Sequence, residues 1–385
     1  MTDFVERNKF SLLDSGTEYF PSLEAEIDNA SSQIFLQVYI VADDEVGRRI
    51  AGALARAVAR GVWVHLLIDA SGAARYLHEL GTNMARDGIQ VLHFRPEARW
   101  LSVSSHRLRR MHRKVAVIDG RVAFVGGINI IDDMHTPGHK PPRYDYAVRL
   151  EGPLVAAVLD QAHALWSLVA WITFNQRFDV PIRTVPDKAP KGDQRGAFLV
   201  RDNILHRSDI EDAYLEAIES AKNEIVIACA YFFPGRQFRR ALVAAAVRGV
   251  RVVLLLQGRV EYVLLHYASR ALYGSLLDAG VEIFEYHASF LHAKVAVIDG
   301  RWATVGSSNI DPFSLLLARE ANVVVDDHAF ANGLKQSLLE HMSQGAALVG
   351  KQQWRRRPLR ERVLIWAGYG IARLLIGVFG YGRLH

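Results

Sequence analysis

The sequence has a single cysteine among its 385 residues, Cys229, which lies in the apolar run 225–230. One cysteine cannot form an intrachain disulfide, and this scarcity suits a reducing compartment. Its apolar neighbours indicate a small buried core residue. The N-terminal residues lack a basic start followed by a long apolar core, so no signal peptide is expected.

Neither an acidic excess nor a disordered composition is present. Lys and Arg number 46 against 41 Asp and Glu, which gives a formal net charge of +5. A basic balance favours anionic partners, namely nucleic acid, phosphorylated ligands or an acidic membrane surface, without choosing among them. Hydrophobic residues make up 50% of the chain and charged residues 23%. Such a chain is globular and long enough for two domains with full cores.

The chain repeats itself once, in four segments that keep the same order in both halves. The pairs are 23–39 with 215–231, 53–69 with 241–257, the two segments that end at Gly88 and Gly280, and 112–127 with 292–307. In the first three pairs, a helix leads into an apolar strand. Because a long unit is repeated only twice, the pattern predicts two copies of one α/β lobe rather than a solenoid.

A segment rich in proline and charge, 181–196, separates the two copies. It predicts a linker between a first lobe at 1–180 and a second lobe at 197–345. Each lobe is expected to contain a mixed β-sheet flanked by helices, with pseudo-two-fold symmetry between the lobes. Residues 346–385 are then a separate basic and apolar tail.

The fourth repeated segment, HRKVAVIDGRVAFVGG in the first half, predicts a β-hairpin. An Asp-Gly dipeptide between two apolar runs is a strong signal for a type I′ turn. That turn would place His112 opposite Gly127 and Lys114 opposite Val125. Because strand side chains alternate, His112 and Lys114 would share one face, with Asn129 beside them just past the glycines.

The second copy, HAKVAVIDGRWATVGS, would place His292 opposite Ser307, with Lys294 and Asn309 at the matching positions. Each half therefore presents an imidazole that can act as nucleophile or acid, and two donors for an anionic oxygen. A single His and Lys on a strand usually form an exposed polar face. The same triplet at matching places in both halves argues for chemistry.

Four carboxylates accompany the motif. Asp119 and Asp299 complete it and are counted with its catalytic residues, although the turn itself accounts for an aspartate before glycine and a mainly structural role is expected. Asp145 and Glu320 each open an apolar strand after the motif. A buried carboxylate that accepts from one imidazole nitrogen would fix the tautomer of a catalytic histidine. An ordinary strand-end charge is the alternative.

An H-x-K-x-x-x-x-D motif followed by G-G-x-N or G-S-x-N, twice in one chain, resembles the phospholipase D superfamily. The stretches MHRKVAVIDGRVAFVGGIN, DYAVRLEGP, AYFFPG and VGSSNIDPFSL are similar to the bacterial cardiolipin synthases, particularly the B-type, and the similarity spans about residues 8–340. The resemblance implies two tandem phospholipase D-like lobes that share one active site. Related chains often have a glutamate where Gln37 stands, so Gln37 is given no role.

Carried over by position, the resemblance implies that six residues surround one phosphate: His112, Lys114, Asn129, His292, Lys294 and Asn309. Ser307 fills the family's small hydroxyl position among the phosphate-binding residues, where the first half has Gly127. Two lysines and two amides can neutralise a phosphodiester without a metal ion, so neither a metal nor another cofactor is expected.

The activity that the resemblance implies is phosphatidyl transfer between two phosphatidylglycerol molecules, which gives cardiolipin and glycerol through a phosphohistidine. His112 is assigned as the nucleophile and His292 as the acid and base, an order that the pseudo-symmetry leaves open. Phosphatidylethanolamine as a donor and water as an acceptor also stay open. Rival functions are a hydrolase or nuclease of the same superfamily and an inactive membrane-binding scaffold, and no nucleic-acid partner is expected.

The tail joins an apolar stretch, 363–381, to a cluster of arginines at 355–362. Arg373 and four glycines interrupt the apolar stretch, which favours a segment lying in the interface of an anionic membrane. A spanning helix and a soluble core or dimer helix are the alternatives. The expected location is the cytoplasmic side of the bacterial inner membrane. Lipid access is assigned to the insertions 100–110 and 262–273, with ordinary packing as the alternative.

Overall fold

The computed structural model describes residues 2–77, 79–95, 110–136, 138–173, 181–202, 205–260, 262–311 and 318–379. In the first half the strands are β1 (Val5–Asp14), β2 (Gln33–Val38), β3 (Trp63–Asp69), β4 (Gln90–Phe94), β5 (Arg110–Met111), β6 (Lys114–Ile118), β7 (Val122–Gly126), β8 (Arg143–Tyr144) and β9 (Tyr146–Glu151). The helices of this half are α1 (Ser15–Asp28), α2 (Glu45–Ala59), α3 (Ala70–Tyr76), α4 (Leu80–Arg86) and α5 (Val155–Ile172).

The second half repeats this order. Its strands are β10 (Gln194–Arg201), β11 (Glu224–Cys229), β12 (Arg251–Gln257), β13 (Glu282–Tyr286), β14 (Phe290–Leu291), β15 (Lys294–Ile298), β16 (Trp302–Gly306), β17 (Ala318–Asp326) and β18 (Ala346–Leu348). Its helices are α6 (Asp209–Ser220), α7 (Arg236–Val247), α8 (Val263–Asp278), α9 (His328–Gly345), α10 (Lys351–Arg355) and α11 (Leu359–Phe379).

The strands of both halves join into one continuous mixed sheet. Its order is β18-β13-β12-β11-β15-β16-β17-β10-β1-β9-β7-β6-β2-β3-β4, with β5 added beside β17 and a separate ladder between β14 and β8. Read outward from β1 and from β10, the two halves have the same strand order, apart from the extra β18. The predicted α/β class is therefore confirmed, and the two sheets are joined edge to edge where β1 and β10 run antiparallel.

Helices cover both faces of this sheet and form three apolar clusters with it. Helices α5 and α9 pack on one face, in a core that includes strand residues from both halves. On the other face, α1 to α4 cover the first half and α6 to α8 the second. The central strands are buried on both sides, which explains why β2, β3, β11 and β12 are near-continuous apolar runs rather than alternating ones.

The two repeated hairpins form, but one residue out of the predicted register. Lys114 faces Gly126 rather than Val125, because Ile118 pairs with Val122. The predicted type I′ turn is present, with positive φ at the Asp-Gly pair and a hydrogen bond from Arg121 N to Ile118 O. Arg121 then adds one residue before the strand pairs begin, as in a bulge, and the second hairpin has the same shift. The register prediction was wrong, since a turn type alone does not count bulged residues.

The predicted linker and tail both contact the folded halves. Residues 181–193 contain no helix or strand, and β10 begins at Gln194 within the predicted linker. The Arg183 guanidinium lies 3.0 Å from the centroid of the Trp63 ring, so the linker packs on the first half. The tail begins with β18, which pairs antiparallel with β13 and extends the second-half sheet. The division into lobes at these residues stays a prediction.

Helix α11 lies along α8 and presents two different faces. Ile365 and Ala372 are buried against the second half, and Gly368 allows a close approach to Tyr267 because a Cβ would lie 2.8 Å from the side chain of that tyrosine. Large apolar side chains on the other face are exposed: Val363, Leu364, Trp366, Ile371 and Leu374. Among the helices that the structure describes, α5 alone has the length and composition to cross a membrane, and much of it packs in the central core.

Candidate active site

Two short cross-connections bring the repeated motifs together. Strand β5, which precedes His112, runs parallel to β17 of the second half. Strand β8, which precedes Asp145, runs parallel to β14, which precedes His292. The backbone N–H of His112 donates to Arg319 O at 2.9 Å, and that of His292 donates to Tyr144 O at 2.7 Å. Each half therefore holds the motif histidine of the other half through its backbone.

The carboxylates that follow these segments also contact the motif histidine of the opposite half. His112 Nδ1 lies 3.1 Å from both carboxylate oxygens of Glu320, which is fully buried. His292 Nδ1 lies 2.6 Å from Asp145 Oδ2. A carboxylate that accepts from Nδ1–H leaves Nε2 with its lone pair. No hydrogen bond engages either Nε2 within the described ranges, so both reactive nitrogens remain available for a ligand.

Two buried lysines lie beside the histidines. Lys114 Nζ donates to the carbonyl of its own motif histidine at 2.6 Å. Lys294 Nζ donates to His292 O and lies 3.3 Å from Asp145 Oδ2. Burial, together with repulsion from Lys294, lowers the pKa of Lys114 to about 7 in spite of the opposing charge of Glu320. Burial also lowers the pKa of Lys294. An anion bound between the two lysine side chains would therefore strongly stabilise their ammonium forms.

The imidazole of His292 is held in its neutral form. Burial, followed by repulsion from Lys294, lowers its pKa to about 3 in spite of the Asp145 carboxylate. Burial alone would raise the pKa of Asp145, but Lys294 and His292 outweigh it and hold this carboxyl ionised. At neutral pH the site thus contains a carboxylate, a neutral imidazole and a lysine within mutual contact.

The predicted phosphate-binding residues separate into two groups. Asn129 is buried and its Oδ1 accepts from Ile40 N at 3.1 Å, which leaves Nδ2 as a donor. Asn309 is buried at the matching position of the second half. The Ser307 hydroxyl is fully buried and donates to Glu320 Oε2 at 2.5 Å. It therefore holds the carboxylate behind His112, and its role in phosphate binding stays a prediction.

Gly127 occupies the position of Ser307 in the first half, for a steric reason. A Cβ built there would lie 2.3 Å from Asp145 Oδ1. The glycine therefore leaves the space that the carboxylate needs to reach His292. The sequence showed this difference between the halves, and the structure connects it to the carboxylate.

Asp119 and Asp299, which complete the motif, lie away from the reacting groups. The Asp119 carboxylate accepts from three backbone N–H groups and one hydroxyl at residues 31–33, at the start of β2. Asp299 accepts from the backbone N–H groups of residues 222–224, and these outweigh burial and lower its pKa. Both sit at the turn, roughly 16 Å from the motif lysine at ~3.3 Å per strand residue. These contacts support the expected structural role, and the inclusion of both residues among the catalytic residues stays a prediction.

Sequence reasoning missed the last residues of β3 and β12. The Asp69 carboxylate accepts from Met111 N at 2.9 Å, and the Gln257 amide donates to Leu291 O at 3.2 Å. Each side chain thus fixes the residue just before a motif histidine. The available signal was a polar residue at the carboxyl end of a buried parallel strand, since these ends meet at one edge of a sheet.

Tyr39 is a further residue that the sequence did not single out. Its ring centroid lies 5.2 Å from the imidazole of His112, and Lys114 Nζ lies 5.6 Å from the same ring. An aromatic face near an ammonium group stabilises the charged form. Of the predicted access insertions, Trp100, Leu101, Arg107 and Arg109 lie outside the described residues. Arg110 begins β5, Tyr262 precedes α8, and 263–273 lie within that helix. Within the described ranges, no three His, Cys, Asp or Glu side chains cluster as metal ligands would.

Comparisons with known proteins found a matching family and similar sequences. A family model described as "Cardiolipin synthase, PLD-like domain" matches residues 23–160 and 214–342. Cardiolipin synthase B of Escherichia coli K12 is 39% identical over 334 residues, which cover 86% of this chain and 80% of that protein. Cardiolipin synthase of Geobacillus kaustophilus is 32% identical over 355 residues, covering 92% of this chain and 70% of the relative.

Solved structures show the same fold at lower sequence identity. Phosphatidylserine synthase from Haemophilus influenzae superposes with a TM-score of 0.71, 15% identity and coverage of 97% of this chain and 96% of that one. Polyphosphate kinase from Porphyromonas gingivalis gives a TM-score of 0.58 over 97% of this chain and 54% of the other. At 15% identity both similarities concern the fold alone.

Proposed function

The chain belongs to the cardiolipin synthase family of phospholipase D-like proteins, and we propose that it transfers a phosphatidyl group between two phosphatidylglycerol molecules, giving cardiolipin and glycerol. The observation that carries this proposal is the crossed pair of imidazole–carboxylate contacts with a buried lysine beside each histidine. A phosphodiester is anionic and repels nucleophiles, so a site that acts on it must first neutralise it. Lys114 and Lys294, with the Asn129 amide, supply that neutralisation.

The proposed reaction has two steps on one phosphorus atom. In the first, Nε2 of one histidine bonds to phosphorus while the bond to the glycerol oxygen breaks, and the other imidazole donates a proton to that oxygen. In the second, the headgroup hydroxyl of another phosphatidylglycerol bonds to phosphorus and the phosphorus–nitrogen bond breaks. The hydroxyl proton passes to the imidazole that donated in the first step. Asp145 and Glu320 stabilise the imidazolium forms.

The order of the two histidines is the part of the mechanism on which sequence and structure point in different directions. The sequence favoured His112 as the nucleophile. The attacking imidazole must be neutral, and the pKa of His292, lowered to about 3, keeps this ring neutral in the free protein. We therefore favour His292 as the nucleophile, with the more exposed His112 as acid and then base.

A phospholipid substrate requires the protein to meet a membrane. Helix α11 offers an exposed apolar face, and exposed arginines precede or begin it: Arg355, Arg356, Arg360 and Arg362. Apolar side chains next to cations favour the interface of an anionic bilayer. We propose peripheral attachment to the cytoplasmic side of the bacterial inner membrane through this face. Phosphatidylethanolamine is the alternative donor.

The test uses purified protein and vesicles of phosphatidylglycerol, with DNA in a separate reaction. We expect glycerol release and a diphosphatidyl product by mass spectrometry, and the loss of both in His112→Ala and in His292→Ala. Glycerol release with phosphatidic acid alone would indicate a hydrolase, and cleavage of DNA alone a nuclease. No activity toward either substrate would indicate a scaffold. Any of these three results would contradict the proposal.

A further inference from the structure

A cavity opens beside the second motif, between the ends of β11 and β12 and the face of α8. Its wall includes aromatic rings and basic groups, among them Tyr231, Arg259, His266 and Arg270. None of the six predicted phosphate-binding residues lines it. The proposed reaction brings two phospholipids to one site, and each carries its own phosphate. The cavity is therefore a candidate site for the phosphate of the acceptor phospholipid.

Arg259 is tied structurally to the catalytic histidine of its half. The Gln257 side chain donates to Leu291 O, next to His292, and accepts from the backbone N–H of Arg259 at 3.2 Å. Between them, Gly258 packs against the His287 ring, where a Cβ would lie 2.3 Å from Cε1. One amide side chain thus fixes the backbone of Arg259 relative to the residue that precedes His292.

The guanidinium of Arg259 is half-buried, and no ion pair neutralises it within the described ranges. Its Nε donates to the carbonyl of His287 at 3.1 Å. The neighbouring Arg270, in contrast, forms an ion pair with Glu285 at 2.7 Å. A half-buried cation whose partner is a neutral carbonyl is a ready site for an anion, because a second charge would offset the cost of its desolvation.

Two histidines near this cavity have arginine charges among the causes of their lowered pKa values. Burial, then the charges of Arg143 and Arg259, lowers the pKa of His139, which stacks on Phe290 at 4.3 Å between ring centroids. Burial, then repulsion from Arg270 and Arg357, lowers the pKa of His266 to about 4. His266 is therefore a neutral hydrogen-bonding ring at pH 7, in a region where the positive charges belong to arginines.

The matching position of the first half carries no cation. Asp69 ends β3 where Gln257 ends β12, and Ser71 stands two residues later, where the second half has Arg259. The Asp69 carboxylate accepts from Ser71 N and Met111 N and supplies a negative charge instead. In the proposed reaction two pseudo-symmetric motifs share one phosphorus atom, so a difference in charge at matching positions of the two halves can distinguish one substrate from the other.

We propose that Arg259 binds the phosphodiester of the acceptor phospholipid and so delivers its headgroup hydroxyl to the phosphatidyl-enzyme. This inference rests on the proposed function. A phosphate held beside the motif leaves the far end of a glycerol headgroup free to reach the reacting phosphorus. The hydroxyl oxygen forms the new bond, the phosphorus–nitrogen bond breaks and the proton passes to the other imidazole. Water carries no phosphate, so Arg259 does not assist its attack on the phosphatidyl-enzyme.

The test compares Arg259→Gln with Arg240→Gln, which removes an exposed arginine from α7. Both proteins are given phosphatidylglycerol vesicles, and cardiolipin and phosphatidic acid are measured together. We expect the ratio of cardiolipin to phosphatidic acid to fall about tenfold or more in Arg259→Gln, the size expected from the loss of a charge-assisted hydrogen bond. The ratio should stay at the wild-type value in Arg240→Gln. Arg259→Lys, which keeps the charge, should recover part of it.

A competing neutral alcohol provides a second readout. With isotope-labelled free glycerol added, Arg259→Gln should form more labelled phosphatidylglycerol, relative to cardiolipin, than the wild type does. Equal losses of cardiolipin and phosphatidic acid in Arg259→Gln would overturn the assignment of Arg259. The same change of the cardiolipin to phosphatidic acid ratio in Arg240→Gln would also overturn it. A wild-type protein that makes no cardiolipin would instead contradict the proposed function, so the two failures are distinguishable.

Discussion

Asp145 accepts a hydrogen bond from His292 Nδ1 at 2.6 Å, although 147 residues separate them along the chain. The reciprocal contact joins His112 to Glu320 across 208 residues. Each carboxylate follows the motif of its own half and serves the histidine of the other half. Neither half therefore contains a complete pair of imidazole and carboxylate, and one reaction centre results from two copies of a lobe.

The crossed pairs predict that removing either carboxylate disables catalysis without unfolding the protein. Asp145→Asn and Glu320→Gln keep the shape of the side chain but lose the charge that orients and stabilises the imidazolium. We expect kcat to fall roughly 10²–10⁴-fold, the range expected when a histidine loses its orienting carboxylate. The measurement is glycerol release from phosphatidylglycerol vesicles, with circular dichroism as the check on folding.

Asp119→Asn is the matched control for those variants. Its carboxylate binds backbone N–H groups at the start of β2, so the loss should appear in stability. We expect about 1–3 kcal/mol less free energy of unfolding, as for the loss of hydrogen bonds to a charged group. The kcat of the folded protein should change by a few-fold at most. A loss of kcat equal to that of Asp145→Asn would instead support a catalytic role for Asp119.

The lowered pKa of Lys114 predicts an alkaline limit to activity. The ammonium form binds the phosphate, and its fraction falls as pH rises through about 7 in the free protein. We expect kcat/KM to fall about tenfold per pH unit above that value, since this ratio reports groups of the free enzyme. Lys114→Arg keeps its charge and should flatten this limb, even with lower activity. The same limb in both proteins would assign it to another group.

The same lowered pKa of Lys114 makes the free energy of unfolding rise with pH, whereas it makes the activity fall. The pKa of Lys114 is about 7 in the folded protein and 10.5 for an ordinary lysine, so the unfolded chain binds more protons between these values. The free energy of unfolding contributed by this group therefore rises as pH increases from 7 toward 10.5. Denaturant melts of the wild type and Lys114→Met across that range measure the difference. A difference that stays constant with pH would contradict the lowered pKa.

Trapping of the intermediate decides which histidine attacks. A phosphatidyl ester with an activated aryl leaving group needs no protonation to depart, so the nucleophile alone is required for the first step. If His292 attacks, His112→Ala should accumulate a covalent phosphatidyl adduct and His292→Ala should form none. Intact-protein mass spectrometry detects the adduct. The adduct in His292→Ala alone would support the order that the sequence favoured.

The exposed face of α11 predicts binding to anionic bilayers. Trp366→Glu combined with Leu374→Glu places two charges among apolar side chains that would enter the interface. We expect binding to phosphatidylglycerol vesicles to weaken by more than tenfold, because each buried large side chain contributes about 1.5–3 kcal/mol. Val185→Glu, at an exposed apolar residue of the predicted linker, is the control. Equal vesicle affinity of all three proteins would remove α11 from the contact.

The sequence by itself determined the duplication, the α/β class, the two hairpins and the histidines and lysines that they carry. These features depend on local rules: apolar periods of helices and strands, the Asp-Gly turn and the alternation of strand side chains. Their recurrence in two halves made each motif harder to attribute to chance. The same rules could not count the bulged residue that shifts both hairpins by one position.

Only the tertiary structure decided which carboxylate meets which histidine, because the short ladders β5–β17 and β8–β14 join segments from opposite halves. It also decided that Ser307 turns to Glu320, and that the guanidinium of Arg259 lies where no carboxylate partner reaches it within the described ranges. Burial lowers the pKa of His292 well below that of an ordinary histidine. Burial and long-range contact depend on how distant segments pack, and no local pattern in the chain specifies them.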